Sequence, residues 1–390
     1  MKRLMLMGLV VLAVGACADR DVTGLNDEVA ILERGPEFHI ARGADHIKVM
    51  SQNMYFGAPV EPVIAAPPDS IPLRVREAWE TMIDTDFPAR AKAMAAEMAK
   101  AMPHLIGLQE VAIYRTEQVW DPANEATEVF LDFLDTLLAE LDVLNAHYEI
   151  AATQTTTDIE FPKLEFLPDG TIYASGVRLT DRDVILARSD VALADADSAL
   201  YGIWMGPDAT PPTPIPVNVY RGWTAVTATV NGRDFRFMNT HFESEDQQGL
   251  HAIRTGQAAE LAQLLMMETL PLIVVGDLNS GPGRPVSEGE YPAYDLLLDV
   301  GYRDLWADGI SPKGFDTCCH AGDLSNRRPM LDQRIDLVLY RNFELGRRSL
   351  AWSWLVNEKH QDLMRYGTWS SDHAGVISWI VFPNWGMAAD

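Results

Sequence analysis

The sequence predicts an α/β protein, on three observations. Segments with the alternation or apolar density of strands recur along the chain, helical segments lie between some of them, and several strands end in polar residues that strand formation does not require. The composition suits a soluble globular chain, with 47% of its 390 residues hydrophobic, 22% charged and 9% aromatic. At roughly 150 residues per domain as a prior, either one large core or two modest ones would fit. No short internal repeat is visible.

The N-terminus reads "MKRLMLMGLVVLAVGAC": Lys2 and Arg3, an uncharged stretch from Leu4 to Ala16, then Cys17. That stretch is shorter than the ~20 residues a membrane-spanning helix needs and has the layout of a secretory signal. "VGAC" is similar to the bacterial lipobox, in which the cysteine becomes the lipidated first residue. Residues 1–17 are therefore expected to be a signal peptide with a lipobox-like end, residues 18–45 a polar tether, and residues 46–390 the folded domain. This gives an exported monomer held at a bacterial envelope membrane through Cys17. Cys318 and Cys319 then remain, and adjacent Cα atoms at about 3.8 Å sit below the usual disulfide span, which favours free thiols over a disulfide. "CCH" at 318–320 lacks the second cluster of similar spacing that a structural zinc site wants.

Within the domain, "HIKVMSQNMYF" reads as a strand and "APVEPVIAAPPDSIP" as a proline-broken loop. "PARAKAMAAEMAKAM" has the composition of a helix with Pro88 near its start. "HLIGLQEV" is an apolar strand, "EVFLDFLDTLLAELDVLNA" a long amphipathic helix, and "HYEIAATQT" and "RDVILARS" are strands. "WTAVTATVNGRDFRFMNTHF" is a hairpin turning at Asn231-Gly232. "GLHAIRTGQAAELAQLLMM" is a helix, and "PLIVVGDLNSGPG" a buried strand ending in a polar turn. "QRIDLVLYR" and "AGVISWIVF" supply late strands. The segment from Ser198 to Val219 is either an apolar lip that meets substrate or lipid, or a loop folded onto its own core.

The polar strand ends carry the chemistry: Asn53, Glu110, Asn239 with His241, Asp277 with Asn279, Asp336, and Asp372 with His373 before the last strand. Each alone has an ordinary reading as a turn former or a solvated strand end. Together they form a carboxylate, carboxamide and imidazole set suited to Mg²⁺, with Mn²⁺ or Ca²⁺ as alternatives, and ligands of open α/β sheets gather at such strand ends. No HExxH spacing supports zinc. Ser371 and His373 lie two apart on an extended chain and cannot form a serine triad, and no G-x-S-x-G elbow occurs.

In order along the chain, "SQNMYF", "LIGLQEV", "NTHFE", "VVGDLNSGP", "QRIDLVLY" and "SSDHAGV" resemble the endonuclease/exonuclease/phosphatase superfamily, the deoxyribonuclease I-like fold, over roughly residues 46–383. The resemblance implies a four-layer sandwich, with two mostly antiparallel β-sheets packed face to face and flanked by helices, that hydrolyses a phosphate mono- or diester with a divalent metal. Carried over by position, Glu110, Asn53 and Asp372 form the metal site. Asp277 and Asn279 orient water and phosphate, His241 donates to a phosphoryl oxygen, and Asp336 orients His373. Arg188, Tyr114, Arg115 and Tyr173 are further candidates without decisive motifs, and Arg334 suits a buttress for a carboxylate.

Substrate class stays open between a small phosphate ester, a sphingomyelinase-like lipid diester, and DNA or RNA. The formal charge of −25 disfavours nucleic acid, because a nuclease groove wants clustered Lys and Arg. A non-catalytic envelope binding module on the same scaffold is the alternative outside enzymes.

Overall fold

The computed structural model describes residues 45–209, 215–244, 251–283, 291–312, 315–343 and 350–382. The signal-like segment with Cys17 and all of the tether except Asp45 lie outside the described residues. No helix among them is long and apolar enough to cross a membrane.

Two mixed sheets carry the molecule. The first contains β1 (Asp45–Asn53), β2 (Leu105–Gln109), β3 (Ile113–Glu117), β4 (Glu128–Asp132), β5 (Tyr148–Phe166), β6 (Ile172–Arg188), β13 (Leu350–Val356) and β14 (Gly375–Phe382), in the order β13-β14-β1-β2-β6-β3-β4 with β5 also on β6. The second contains β7 (Ala192–Leu200), β8 (Gly222–Val230), β9 (Arg233–His241), β10 (Leu272–Asp277), β11 (Arg303–Asp304) and β12 (Asp336–Arg341), in the order β11-β12-β10-β9-β8-β7. Each sheet has one parallel pair, β1 with β2 and β9 with β10, among otherwise antiparallel neighbours.

Three apolar clusters show the layering. Val49, Leu105, Ile185, Phe237, Val275 and Val338 from both sheets share one core between them. On the outer face of the first sheet, Met50, Ile106 and Leu186 pack with Met94, Phe133 and Leu137 of covering helices. On the outer face of the second, Met238, Val274 and Leu339 pack with Ala258, Leu261 and Leu297. The result is helix, sheet, sheet, helix, the four-layer arrangement the resemblance implied.

The helices are α1 (Glu61–Ile64), α2 (Ile71–Asp84), α3 (Phe87–Ala101), α4 (Phe133–Val143), α5 (His251–Leu264), α6 (Ala293–Asp299), α7 (Leu305–Asp308) and α8 (His360–Tyr366). Two differ from expectation. The proline-rich loop contains α1 and leads into α2, because Pro62 and Pro72 sit in first turns, where a missing N–H costs nothing and φ is already suitable. The long helix expected from Glu128 begins only at Phe133. Asp132 caps it, its Oδ1 accepting from Leu134 N at 2.9 Å and Asp135 N at 3.3 Å, while the preceding residues pair with β3 as a strand. The Asn231-Gly232 turn has positive φ at both residues, 53° and 72°, as a two-residue hairpin requires. The segment after Ser198 largely folds inward: Tyr201 and Met205 are buried, and Met205 bridges to Val219.

Candidate active site

Strand alternation builds the site. Along β1 the face between the sheets runs Ile47, Val49, Ser51, Asn53; along β10 it runs Ile273, Val275, Asp277; along β9 it runs Phe235, Phe237, Asn239, His241. Antiparallel β12 starts with Asp336 and continues to Val338 and Tyr340. Each strand is therefore apolar at one end of the inter-sheet space and polar at the other. Register aligns the polar ends, since Asp277 pairs with His241 on one side and with Asp336 on the other. Behind them Gln109 Nε2 donates to Asn239 Oδ1 across the sheets at 2.6 Å. Gly276 allows the close strand spacing: a Cβ there would meet the Thr240 carbonyl oxygen at 1.9 Å.

Asn53, fully buried, joins the two sheets at the polar end of this space. Its Nδ2 donates to Glu110 Oε1 at 2.9 Å and to Asp277 Oδ2 at 3.1 Å, while its Oδ1 accepts from Tyr55 N at 2.8 Å. Glu110 Oε2 accepts from Phe56 N at 2.9 Å. Tyr55, Glu110 and Asn279 all lie at positive φ, 60°, 55° and 47°, a region that costs a non-glycine residue roughly 1–3 kcal/mol and needs surrounding contacts to hold it. Here those contacts are the hydrogen bonds just named, together with Asn279 N to Asp277 Oδ1 at 2.9 Å.

Two histidines face Asp277 Oδ2, His241 Nε2 at 3.5 Å and His373 Nε2 at 3.8 Å. His373 Nδ1 lies 2.8 Å from Asp336 Oδ2, and Asp336 is itself fixed by Thr317 Oγ1, which accepts its backbone N–H at 3.1 Å. Burial alone would lower the His373 pKa, but Asp336, Asp372 and Asp277 outweigh it and hold the imidazole well above its usual range. His241 is the opposite case. Burial, then the positive charges of Arg221 and His373, push it well below the usual range. Arg221 Nη1 lies 3.0 Å from His241 Nδ1, while Asn279 Nδ2 and Asp277 Oδ2 lie 3.3 and 3.5 Å from Nε2, a donor and an acceptor at the same ring nitrogen.

The carboxyl groups crowd one another. Burial and then the Asp372 charge push Glu110 up to about 8; burial and then Asp336 raise Asp277 to about 6; burial also raises Asp372 to about 6. A divalent cation fits this donor set. Glu110 and Asp372 are hard oxygen ligands whose mutual repulsion a cation would relieve, and binding would release their protons. Asp277, Asp336 and His373 also place one donor atom each within 4.8 Å of one another, although an imidazolium cannot ligate.

All eight residues expected at the site, Asn53, Glu110, His241, Asp277, Asn279, Asp336, Asp372 and His373, meet at this one end of the sandwich. Ser371 is occupied structurally, its Oγ donating to the Asn53 carbonyl at 2.8 Å and accepting from His373 N at 3.1 Å. Arg188 pairs with Asp190 at the opposite end of β6, Arg115 bonds Thr180, and Tyr173 pairs with Glu165 out on the β5–β6 hairpin, so none of these joins the site. Tyr114 donates to the Phe56 carbonyl and supports the loop beneath Glu110. Arg334 does buttress a carboxylate, reaching Asp304 at 2.6 Å. Cys318 and Cys319 face each other across a cis peptide, and Cys319 Sγ lies 4.0 Å from His373 Nε2. His320 belongs to the core, stacked on Trp369.

Sequence reasoning missed Arg221 and its acidic neighbours. Arg221 Nη2 lies 3.5 Å from Glu243 and Nη1 3.9 Å from Asp181. Asp183, next on the same face of β6, is fully buried with neither carboxylate oxygen hydrogen-bonded, and burial followed by Asp181 raises its pKa well above the ordinary value. A lone arginine before "GWTAVTATV" carries no pattern that separates it from a solvated strand entrance; the acid pair in "TDRD" was the available signal.

The Endonuclease/Exonuclease/phosphatase family matches residues 50–373 of the chain. No curated protein matches at the sequence level. Among solved structures, a family protein from Bacteroides thetaiotaomicron is 14% identical with a TM-score of 0.48, covering 87% of this chain and 99% of its own. A mannosyl-6-phosphatase of the same organism is 15% identical with a TM-score of 0.47, covering 86% and 100%. Truncated TDP2 of Caenorhabditis elegans is 15% identical with a TM-score of 0.46, covering 86% and 98%.

Proposed function

The chain belongs to the Endonuclease/Exonuclease/phosphatase family, whose members hydrolyse phosphoesters, and from that premise we propose that it is a divalent-metal-dependent hydrolase of a phosphate mono- or diester. The observation that carries the reading is the convergence on Asp277 of Asn53, His241 and His373, with Glu110 and Asp372 beside them. The N-terminal pattern adds that it works outside the cytoplasm, anchored through Cys17.

Mechanistically, Glu110 and Asp372 would hold the cation with Asn53 alongside, and the cation would supply Lewis-acid stabilisation of a phosphoryl oxygen. His373, charged because of its carboxylate neighbours, clamps a second oxygen and lends a proton as negative charge develops. His241, kept neutral by burial and Arg221, donates to a phosphoryl oxygen. Asp277 Oδ2 lies between both rings and takes the proton of the attacking water as its oxygen bonds to phosphorus; the ester P–O bond breaks, the alcohol leaves with the proton from His373, and Asn279 orients the water and phosphate. Opposite charge states in two neighbouring imidazoles divide the work between a cationic clamp and a neutral donor.

The test is hydrolysis of a chromogenic phosphodiester and monoester with Mg²⁺, Mn²⁺ or Ca²⁺, beside plasmid DNA, RNA and sphingomyelin. Glu110→Ala should abolish the cation-induced thermal shift, and His373→Ala should cut turnover by about 10²- to 10⁴-fold with the fold intact. Turnover that survives both substitutions would refute the site.

A further inference from the structure

Beside the candidate site, and lined by none of its eight residues, lies a cleft of about 60 Å³ whose exposed wall is mostly apolar. Its walls join it to the chemistry. Phe56, whose backbone N–H holds Glu110, lines one side, and Arg221, which holds His241, lines the other. Between them Val60, Ile64, Ile159 and Leu179 present aliphatic side chains, all partly exposed, with Met205 and Val219 closing the wall. The same four aliphatic residues also line a second cavity of about 70 Å³ that continues toward Val75, Trp79 and Phe161. An apolar path therefore leads away from the phosphate position.

The ionisable residues along the path are Glu61, Asp181 and Glu243 against the single cation Arg221, which is already engaged by His241, Asp181 and Glu243. Such a surface repels a polyanionic strand, and the lysines and arginines that phosphate backbones require are missing from it. Aliphatic walls gain instead by removing hydrocarbon from water.

We infer that the cleft takes the hydrocarbon chain of a lipid phosphoester whose phosphate sits at the site proposed above. The inference rests on that reading for the position of the phosphate, and its occupant is a single alkyl or acyl chain. The earlier idea of a projecting lip is replaced by a wall: Met205 and Val219 contribute from the inside of a folded-back segment.

The experiment measures, by calorimetry on the full-length chain with Mg²⁺, the affinity of linear alkylphosphonates of increasing length below micelle formation. Each added methylene should tighten binding about two- to fourfold until the path is filled. Leu179→Asp, and separately Ile159→Ser in case the first variant fails to fold, should flatten that dependence. Affinity independent of chain length, or a length dependence unchanged in a folded variant, would overturn the inference. A parallel assay with methyl p-nitrophenyl phosphate keeps the two readings apart. No hydrolysis there, with the length dependence present, sinks the hydrolase and leaves the lipid cleft standing; hydrolysis with no length dependence does the reverse.

Discussion

Arg221 shows how one buried side chain can set the chemistry of another. Its guanidinium lies against Asp181 and Glu243 and 3.0 Å from His241 Nδ1, so it opposes protonation of that ring. Replacing it as Arg221→Gln removes a positive charge that disfavours the imidazolium, and the His241 pKa should rise toward the ordinary histidine range. Ring ¹⁵N NMR across a pH series would show this, and turnover should fall by about 10²-fold, as for loss of a preorganised donor. An unchanged His241 titration would mean that burial alone keeps the ring neutral. The residues of the site differed in how readable they were. Glu110, Asp277 and Asp336 broke an otherwise apolar strand and announced themselves. Arg221 and Asp181 sat where polar residues are common, and only the folded register of β6, β8 and β9 gave them a role.

Elements were legible where a period or a cap was strong. β1, β2, β10, β12 and β14 read correctly because buried strands need apolar runs, and α3 because its alanines and methionines allow little else. Prolines misled at α1 and α2, since a proline in a first turn looks in sequence like a proline in a loop. The switch at Asp132 was hidden because β4 continues the apolar pattern of α4, and only strand pairing separates them. Helix α3 also holds Glu97, a carboxyl pushed up to about 8 by burial, then by the nearby Asp362 charge, although Ser370 Oγ donates to it. Its folded pKa exceeds the unfolded value of about 4.5, so between these limits the native state binds the extra proton. Stability from this group is full below about pH 4.5 and is lost as pH rises toward about 8. Glu97→Gln should therefore raise Tm relative to the native chain more at pH 8.5 than at pH 5. An equal difference at both would show that Glu97 ionises normally in the fold.

At the scale of the whole molecule the charge of −25, from 31 basic and 56 acidic residues, acts on any substrate that carries phosphate. The sandwich concentrates buried carboxyl groups at the end where substrate must enter, and the cleft beside it adds Glu61, Asp181 and Glu243. An anionic ester thus approaches against a repulsive field, which monovalent salt screens over a Debye length of about 10 Å at 0.1 M. With the divalent cation held saturating, kcat/KM for an anionic phosphodiester should rise several-fold between about 10 and 150 mM NaCl. A zwitterionic ester such as a phosphocholine diester carries no net charge and should respond little. A protein that grips a nucleic-acid backbone behaves in the opposite sense, losing affinity steeply as salt displaces its phosphate contacts. The sign of the salt dependence on plasmid DNA and on the zwitterionic ester, measured side by side, therefore separates a nuclease from the lipid phosphoesterase that the apolar cleft favours. A fall with salt on DNA, at rates above those on the zwitterion, would overturn the argument from charge.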